Sequence, residues 1–336
     1  MSEHKLLKWL EEGRLLVGDG AMGTMLQQAG LTDGGAPELW NVEHPEKVRA
    51  IYQAYVDAGS NIIETNTFGG TSARLKLHNL QDRVRELNVA GARLAREVAE
   101  PAGVLVAGSM GPSGELIQPL GSLTMEEAQA MFAEQAAALA EGGVDFLIIE
   151  TMSDLREMEA AVKGAQQVTD LPIVATMTFD TNYHTMMGVS PRQAVETLAS
   201  WGVRVVGANC GNGPAEIEAV MTQMAQHRPE GIFLVAQSNA GMPQYVKGHI
   251  HYDGTPEVMA EYALRMRNLG VNVIGACCGS TPAHIQRMVA ALEAAKDQPI
   301  QGPPAEAVGD QPIEDDASRA ARRAARRAAR RQRSSQ

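Results

Sequence analysis

Eight short apolar runs, each followed by a segment with helical periodicity, constrain the fold of this 336-residue chain more than any other feature of its sequence. Strands that alternate with helices form parallel sheets, because each helix returns the chain to the same end of the sheet. Eight such units in about 290 residues predict a (β/α)8 TIM barrel, a fold that usually takes ~250 residues or more. A doubly wound sheet, which more often has fewer strands, is the alternative. The eight runs are residues 15–18, 61–64, 104–107, 146–149, 172–176, 203–206, 232–236 and 271–274.

Several helix starts are marked in the sequence. Thr124 and Glu127 form a capping-box pattern, which predicts a helix that ends near residues 142–143, where two glycines follow each other. Ser190, Thr255 and Thr281 each precede a proline, a pair typical of an N-cap and the first helical residue.

Polar residues follow seven of the eight apolar runs. In a (β/α)8 barrel the active site lies at the carboxyl ends of the strands, so polar residues at run ends predict a site at that face. The residues in question are Asp19, 64–67, Ser109, 150–151, 209–210, 237–239 and 277–278.

All three cysteines lie in two similar glycine-rich stretches, 207–211 and 275–279. Three thiols that converge from two strand ends suit one metal ion with an open fourth position, as in catalytic zinc sites. Cys277 and Cys278 reach the same ion only if the strand stops there, because successive strand residues point to opposite faces. Three inert buried cysteines, or a disulfide between Cys277 and Cys278, are the alternative interpretation.

Three thiolates around zinc suit a fourth soft ligand, the thiol of a substrate, whose pKa the metal lowers. The matching reaction is alkyl transfer to that thiol. Asp19 and Glu150 have no basic neighbour in the sequence, and both are placed to face an ammonium group. The alternative interpretation is that each is a hydrogen-bonded acid that only supports its neighbours. The glycine-rich turn at residues 20–24 offers free N–H groups to a carboxylate. Together these groups describe a thiol amino acid.

These motifs resemble those of the homocysteine S-methyltransferase family. The resemblance rests on residues 18–24, 64–68, 207–211 and 275–279 and covers about residues 6–295. It implies a zinc-binding (β/α)8 barrel that methylates homocysteine to methionine, with the zinc at the carboxyl ends of the strands. By motif, the zinc ligands are Cys210, Cys277 and Cys278, and the substrate contacts are Asp19, Gly20, Met22, Gly23, Glu150 and Asn209.

The resemblance implies a methyl donor but leaves its identity open. Betaine or a related small onium compound is the first expectation, and a methyl group carried by a separate corrinoid protein is the alternative. Where animal betaine enzymes have cage aromatics, this chain has Gly69 and Thr151, a departure that weakens the case for betaine itself. A non-enzymatic zinc or thiol redox protein is the interpretation from another class.

Composition separates a barrel at residues 1–296 from a linker and arginine- and alanine-rich tail at 297–336. The net charge is −11, yet residues 317–336 carry eight arginines and no acid, and residues 297–316 carry six acids and no base. An acidic barrel is not expected to bind nucleic acid. The tail is expected to be disordered, with an anchor for an acidic partner as the alternative. No apolar run suggests a signal peptide or membrane span, and we expect a cytoplasmic homo-oligomer.

Overall fold

The computed structural model describes residues 4–32, 34–246 and 249–304. Eight parallel strands form the barrel in the described part of the chain. In chain order they are β1 (Leu16–Val17), β2 (Ile62–Glu64), β3 (Leu105–Met110), β4 (Phe146–Met152), β5 (Ile173–Met177), β6 (Val205–Cys210), β7 (Phe233–Ser238) and β10 (Val273–Ala276). Two further strands, β8 (Pro243–Val246) and β9 (His249–Tyr252), pair as an antiparallel hairpin between β7 and the next helix.

Helices connect the strands on the outside of the barrel. They are α1 (Lys5–Glu11), α2 (Met22–Gln28), α3 (Trp40–Glu43), α4 (Pro45–Asp57), α5 (Ser72–Lys76), α6 (Val84–Ala102), α7 (Met125–Gly142), α8 (Leu155–Val168), α9 (Pro191–Ser200), α10 (Pro214–His227), α11 (Pro256–Asn268) and α12 (Pro282–Ala294), with 3-10 turns at Pro37–Leu39 and Gln81–Arg83. None of the helices in the described ranges is long and apolar enough to span a membrane.

The strand order is β1-β10-β7-β6-β5-β4-β3-β2, which makes a nearly closed (β/α)8 barrel. No backbone ladder joins β1 and β2 in the described structure. Two hydrogen bonds that involve Asn61 link these strands instead. The Asn61 N–H donates to the Val17 carbonyl at 2.7 Å, and the Val17 N–H donates to Asn61 Oδ1 at 2.9 Å. The predicted barrel is therefore confirmed, and the doubly wound alternative is excluded.

The barrel interior is apolar at its amino-terminal end. Leu6 and Leu10 of α1 pack against the inward-facing residues of the strands, such as Leu105, Phe146 and Val205. Each fully buried side chain of this size contributes ~1.5–3 kcal/mol of transfer free energy. Because α1 and these residues fill one end of the barrel, the polar interior positions are confined to the opposite end.

The helix starts follow the sequence signals. Thr124 and Glu127 form the capping box of α7, and Gly143 ends that helix with a φ of 90°. Ser190 and Thr255 accept hydrogen bonds from the first turns of α9 and α11, and Pro282 is the first residue of α12.

Two features differ from the sequence prediction. Strands β3, β4, β6 and β7 continue two or more residues beyond their apolar runs, because backbone pairing does not depend on the polarity of the side chains. The polar residues Ser109, Glu150 and Cys210 therefore lie within strands. The β8–β9 hairpin was not predicted, because residues 243–252 mix polar and apolar residues and contain no apolar run.

The first residues of the predicted tail contact the barrel. The Gly302 N–H donates to the Asn268 carbonyl at 2.8 Å, and Gln226 Nε2 donates to the Pro304 carbonyl at 2.8 Å. The buried Arg267 side chain donates to the Gln298 carbonyl. The rest of the predicted tail, residues 305–336, lies outside the described residues, so the expected disorder stays a prediction.

These contacts predict different effects for two truncations. Deletion of residues 297–336 removes one hydrogen bond from each of Arg267, Asn268 and Gln226, and it should lower the free energy of unfolding by ~1–3 kcal/mol. Deletion of 305–336 alone should change stability little and leave enzymatic activity intact, since arginine and alanine offer little apolar surface to bury. Urea unfolding of both variants measures the difference. Equal stabilities, or a tenfold loss of kcat/KM in the shorter deletion, would contradict this assignment.

Candidate active site

A cavity of about 360 Å³ opens at the carboxyl ends of the strands. Its wall combines thiols, carboxylates, a glycine-rich turn and a few apolar side chains. The residues that line it include Gly20, Met22, Gly23, Glu38, Glu64, Phe68, Ser109, Glu150, Cys210, Gln237, Cys277 and Cys278. Thiols and carboxylates thus share one enclosed volume.

The three cysteine sulfur atoms form one cluster. All three Sγ atoms lie within 4.8 Å of one another, and the Sγ atoms of Cys277 and Cys278 are 4.0 Å apart. Strand β10 ends at Ala276, and the Ser280 N–H donates back to the Cys277 carbonyl at 3.2 Å, so the chain turns at the cysteine pair. This turn places both neighbouring thiols on one side, as the sequence required.

The positions of the three thiols depend on unusual backbone angles in two segments, the end of β6 and the turn after β10. Gly279 has a φ of 80° and Cys210 a φ of 64°, both in the left-handed region that side chains with a Cβ rarely adopt. Such a conformation in a non-glycine residue costs free energy and is typical of functional sites. At Cys210 it directs the thiol at the end of β6 toward the pair after β10.

The cluster favours one thiolate even without a metal. Hydrogen bonds from Cys210 and Cys277 lower the pKa of Cys278 to about 3. Hydrogen bonding to Cys210 and Cys278, together with burial, raises the pKa of Cys277 well above its ordinary value. Sulfur atoms on one tetrahedral zinc ion at ~2.3 Å lie about 3.8 Å apart. The spacing and softness of these donors therefore fit a metal ion of this kind.

A second cluster consists of three carboxyl groups, the buried ones of Asp19 and Glu150 and the half-buried one of Glu64. Asp19 Oδ2 accepts the Glu64 N–H at 2.9 Å, and Glu64 Oε1 accepts Gln237 Nε2 at 2.5 Å. Ser109 Oγ donates to Glu150 Oε1 at 2.6 Å. Asp19, at the end of β1, and Glu64, at the end of β2, meet across the seam of the barrel.

Like charges and burial make this cluster electrostatically unfavourable when it is ionised. Burial, and next the charge of Glu64, raise the pKa of Asp19 and of Glu150 well above their ordinary values. Burial likewise raises the pKa of Glu64. A bound cation would relieve the repulsion and favour the ionised form. The cluster is therefore suited to an ammonium group.

Glu150 is aimed into the cavity by a local irregularity of β4. The pairing of β4 with β5 shifts register between Ile149 and Met152, and Thr151 has a φ of 61°. Asn209 holds this irregular segment. Its Oδ1 accepts the Thr151 N–H at 2.8 Å, and its Nδ2 donates to Thr151 Oγ1 at 2.7 Å and to Glu150 Oε2 at 3.3 Å.

The glycine-rich turn after β1 forms another wall. The Ala21 N–H donates to Ser280 Oγ at 3.0 Å, which ties this turn to the cysteine turn after β10. A Cβ at Gly20 would lie 2.5 Å from Ser280 Oγ, so the close approach requires glycine. The N–H groups of Met22 and Gly23 open α2, where helical N–H groups have no intrahelical acceptor.

The structure brings most predicted site residues together. Cys210, Cys277, Cys278, Gly20, Met22, Gly23 and Glu150 line the cavity. Asp19 and Asn209 do not line it; they are buried directly behind Glu64 and Glu150 and hold them by hydrogen bonds.

Glu64 lines the cavity and was not among the predicted substrate contacts. Its signal was present, because it is an acidic residue at the end of an apolar run, as Asp19 and Glu150 are. What the sequence did not reveal is which of the polar side chains at the strand ends faces the cavity.

A profile of the family described as homocysteine S-methyltransferase matches residues 16–292, which covers the whole barrel and both cysteine turns. The chain belongs to the homocysteine S-methyltransferase family. The resemblance read from the motifs is thereby confirmed.

Relatives in this family include the methionine synthases of Mycobacterium tuberculosis and Mycobacterium leprae. The first is 33% identical over 296 residues, 83% of this chain, and the second is 32% identical over 301 residues, 84% of this chain. Each alignment spans 25% of the relative, so the chain corresponds to about a quarter of their length.

Solved structures of the homocysteine methyltransferase MmuM from Escherichia coli are also similar to this chain. The oxidised and metallated forms both superpose with a TM-score of 0.71 at 26% identity, covering 84% of this chain and 98% of MmuM. The family and the structural match support methyltransferase activity for this chain. The metallated form shows that a homologous barrel takes up metal.

The carboxylate cluster predicts a stabilising substitution. Glu64→Gln removes one charge that opposes ionisation of Asp19 and Glu150, while Gln237 keeps an acceptor at that position. An acidic group whose pKa is higher in the folded than in the unfolded state lowers the free energy of unfolding as the pH rises through that pKa. We therefore expect Glu64→Gln to be more stable than the wild type by about 1 kcal/mol at pH 8, and by less at pH 5.

Urea unfolding at the two pH values measures this difference, with the exposed Glu134→Gln as the matched control. A Glu64→Gln variant that is less stable than the wild type at pH 8 would contradict the repulsion argument.

Proposed function

We propose that this chain transfers a methyl group to the thiol of L-homocysteine and forms methionine. The observation that carries the proposal is the presence of a thiol cluster and a carboxylate cluster in one cavity of about 360 Å³. A substrate that uses both must carry a soft sulfur at one end and an ammonium group at the other. Homocysteine has this arrangement.

The cysteine cluster is proposed to hold zinc through Cys210, Cys277 and Cys278. Three soft donors with a spacing close to a tetrahedral edge fit this ion and leave a fourth position for substrate. Zinc, when bound, supplies a Lewis acid that lowers the pKa of a substrate thiol and maintains a nucleophilic thiolate at neutral pH.

The other residues bind and orient the amino-acid end of the substrate. Glu64 and Glu150 face the cavity and are proposed to pair with the ammonium group, while Asp19 accepts the backbone N–H of Glu64 and Asn209 donates to the Glu150 carboxylate. The N–H groups of Met22 and Gly23 are proposed to bind the carboxylate group. Held at both ends, the substrate sulfur has a defined direction of attack on the methyl donor.

A small onium compound is the first candidate donor. The chain covers 98% of MmuM, so a barrel of this size is sufficient for a protein described as a homocysteine methyltransferase. The cavity offers an onium methyl group the ring of Phe68 and the carboxylate of Glu38, which is buried and accepts the Gly69 N–H at 2.6 Å.

A methyl group carried by a separate corrinoid protein is the second candidate, and an exposed apolar rim favours it. Phe68, Leu77, Leu116 and Leu120, in the loops after β2 and β3, are 38%, 68%, 53% and 60% exposed. Phe68 also lines the cavity, so exposed apolar surface reaches the site at this residue. Exposed apolar patches beside a site mark surfaces for macromolecular partners.

Donor profiling tests the proposal. Purified zinc-loaded protein is incubated with homocysteine and, in turn, betaine, S-methylmethionine, dimethylsulfoniopropionate or a methyl-corrinoid protein, and methionine is measured. Turnover with a small onium donor supports the first candidate. Turnover only with the corrinoid protein supports the second candidate, and the variants Leu116→Asp and Leu120→Asp should then lose that turnover. No methionine with any donor would favour a non-enzymatic zinc or thiol protein.

Substitution of the cysteines tests the metal site. The purified protein should contain about one zinc per chain, and Cys210→Ala, Cys277→Ala or Cys278→Ala should remove metal and activity together. The fold should persist, because the barrel core is apolar and does not include the thiols. Metal content is measured by atomic emission and the fold by circular dichroism. Unchanged zinc in all three variants would contradict the assignment.

Substitution of the carboxylates tests the ammonium site. Glu150→Gln removes one partner of a buried charge pair, which typically costs ~2–4 kcal/mol, or roughly 30- to 1000-fold in homocysteine affinity. Asp19→Asn should act in the same direction, because it weakens the support of Glu64. Calorimetric titration with homocysteine measures both, and zinc content should stay unchanged. Wild-type affinity in both variants would show that the ammonium group binds elsewhere.

A further inference from the structure

A pair of opposite charges lies at the solvent side of the cavity, apart from the groups proposed to bind homocysteine. Glu38, Arg74 and His78 line the cavity together with Phe68. Arg74 is half-buried, and His78 and Phe68 are exposed, so this part of the wall reaches the protein surface. The two basic side chains line a cavity whose other charged groups are acidic.

The negative charge of this pair is the carboxylate of Glu38. This side chain is buried, and its Oε1 accepts the Gly69 N–H at 2.6 Å. A Cβ at Gly69 would lie 2.9 Å from that oxygen, so a side chain at position 69 would displace the carboxylate. Glycine at this position therefore lets the Glu38 carboxylate form part of the cavity wall.

The positive charge is the guanidinium group of Arg74. This residue lies on α5, whose N-cap Thr71 accepts the Arg74 N–H at 3.4 Å. The side chain packs along the loop after β3, where a Cβ at Gly114 would lie 3.3 Å from Arg74 Nη1. Within the described part of the chain, this guanidinium has no ion pair and no hydrogen bond. An arginine placed beside a cavity without such a partner is suited to a carboxylate ligand.

Glu38 and Arg74 interact electrostatically without direct contact. Burial raises the pKa of Glu38, and its backbone hydrogen bonds and then the charge of Arg74 oppose that rise. The two side chains nevertheless form no ion pair with each other. A ligand that carries a cation at one end and an anion at the other can therefore pair with both groups.

We propose that Glu38 and Arg74 form a subsite for a zwitterionic methyl donor, with the onium group at Glu38 and Phe68 and the carboxylate at Arg74. This inference rests on the proposed function, and it narrows the donor to small onium compounds that also carry a carboxylate. A cation attracts both the Glu38 carboxylate and the face of an aromatic ring, and a guanidinium group matches the planar carboxylate.

The charges also fit the methyl transfer itself. A C–S bond forms between the donor's methyl group and the homocysteine thiolate, while the bond from that methyl group to the onium nitrogen or sulfur breaks. The electron pair of the broken bond stays with the donor, which becomes a neutral amine or thioether that still carries its carboxylate. The product therefore loses its attraction to Glu38 and keeps only that to Arg74, which favours its release.

The test compares betaine and dimethylsulfoniopropionate with their carboxamides, in which a neutral group of similar size replaces the carboxylate. In zinc-loaded Arg74→Gln, the acid-to-amide ratio of kcat/KM should fall about tenfold or more relative to the wild type, because a bond to a charged group is lost only for the acids. The loss should appear in KM, since the carboxylate is remote from the bond that breaks. A purely structural role of Arg74 would lower kcat/KM for acids and amides alike.

Arg156→Gln is the matched control, because Arg156 is exposed on α8 and does not line the cavity. It should keep the wild-type ratio. An unchanged ratio in folded Arg74→Gln would overturn the inference, and so would absence of turnover with every small onium donor while homocysteine still binds. Failure of the wild type to bind homocysteine, measured by calorimetry, would overturn the proposed function and the inference with it, so the two failures are distinguishable.

Discussion

The parallel pairing of eight strands is the constraint on which the site depends. It brings the carboxyl ends of all eight strands to one end of the barrel, so residues as distant in sequence as Glu64, Glu150 and Cys277 line one cavity. The seam between β1 and β2 is the sensitive part of this arrangement, because Asn61 supplies both hydrogen bonds there. Above the seam, Asp19 accepts the Glu64 N–H, so closure of the barrel and assembly of the carboxylate cluster are one structural event.

The groups of the site are arranged unfavourably for the free energy of folding, and this arrangement favours the binding of cations. Two buried carboxyl groups, Asp19 and Glu150, lie with the half-buried Glu64, and three thiols line the same cavity. Two non-glycine residues, Thr151 and Cys210, adopt left-handed backbone angles. Burial and backbone strain of this kind lower the free energy of unfolding, and packing of the apolar barrel core offsets that loss. A cation beside the carboxylates and a metal among the sulfurs each relieve part of this cost, so ligand binding and relief of repulsion are linked.

Much of the fold could be predicted from the sequence, because a parallel barrel leaves a strong pattern. Buried strands are short apolar runs, and three helices, α9, α11 and α12, begin with Ser or Thr before Pro. The cysteine turn could also be predicted, since Cys277 and Cys278 share an ion only if the strand stops at Ala276, as it does. The hairpin was missed because residues 243–252 contain no apolar run.

The roles within the site were harder to predict than its members. Asp19 and Asn209 lie behind the cavity wall, whereas Glu64 lies in it. Sequence position places all three at strand ends but does not say which side chain faces the cavity, because that depends on the seam and on the irregularity at Thr151. Such choices are set by tertiary geometry, which a single sequence does not encode in any local pattern.

The central claim is that one substrate reaches both clusters, with its sulfur at the cysteine cluster and its ammonium group at the carboxylates. Zinc-edge X-ray absorption of the zinc-loaded protein, with and without homocysteine, tests this most directly. The account predicts three sulfur neighbours without substrate and a fourth when homocysteine is added. An unchanged set of neighbours at saturating homocysteine would contradict it.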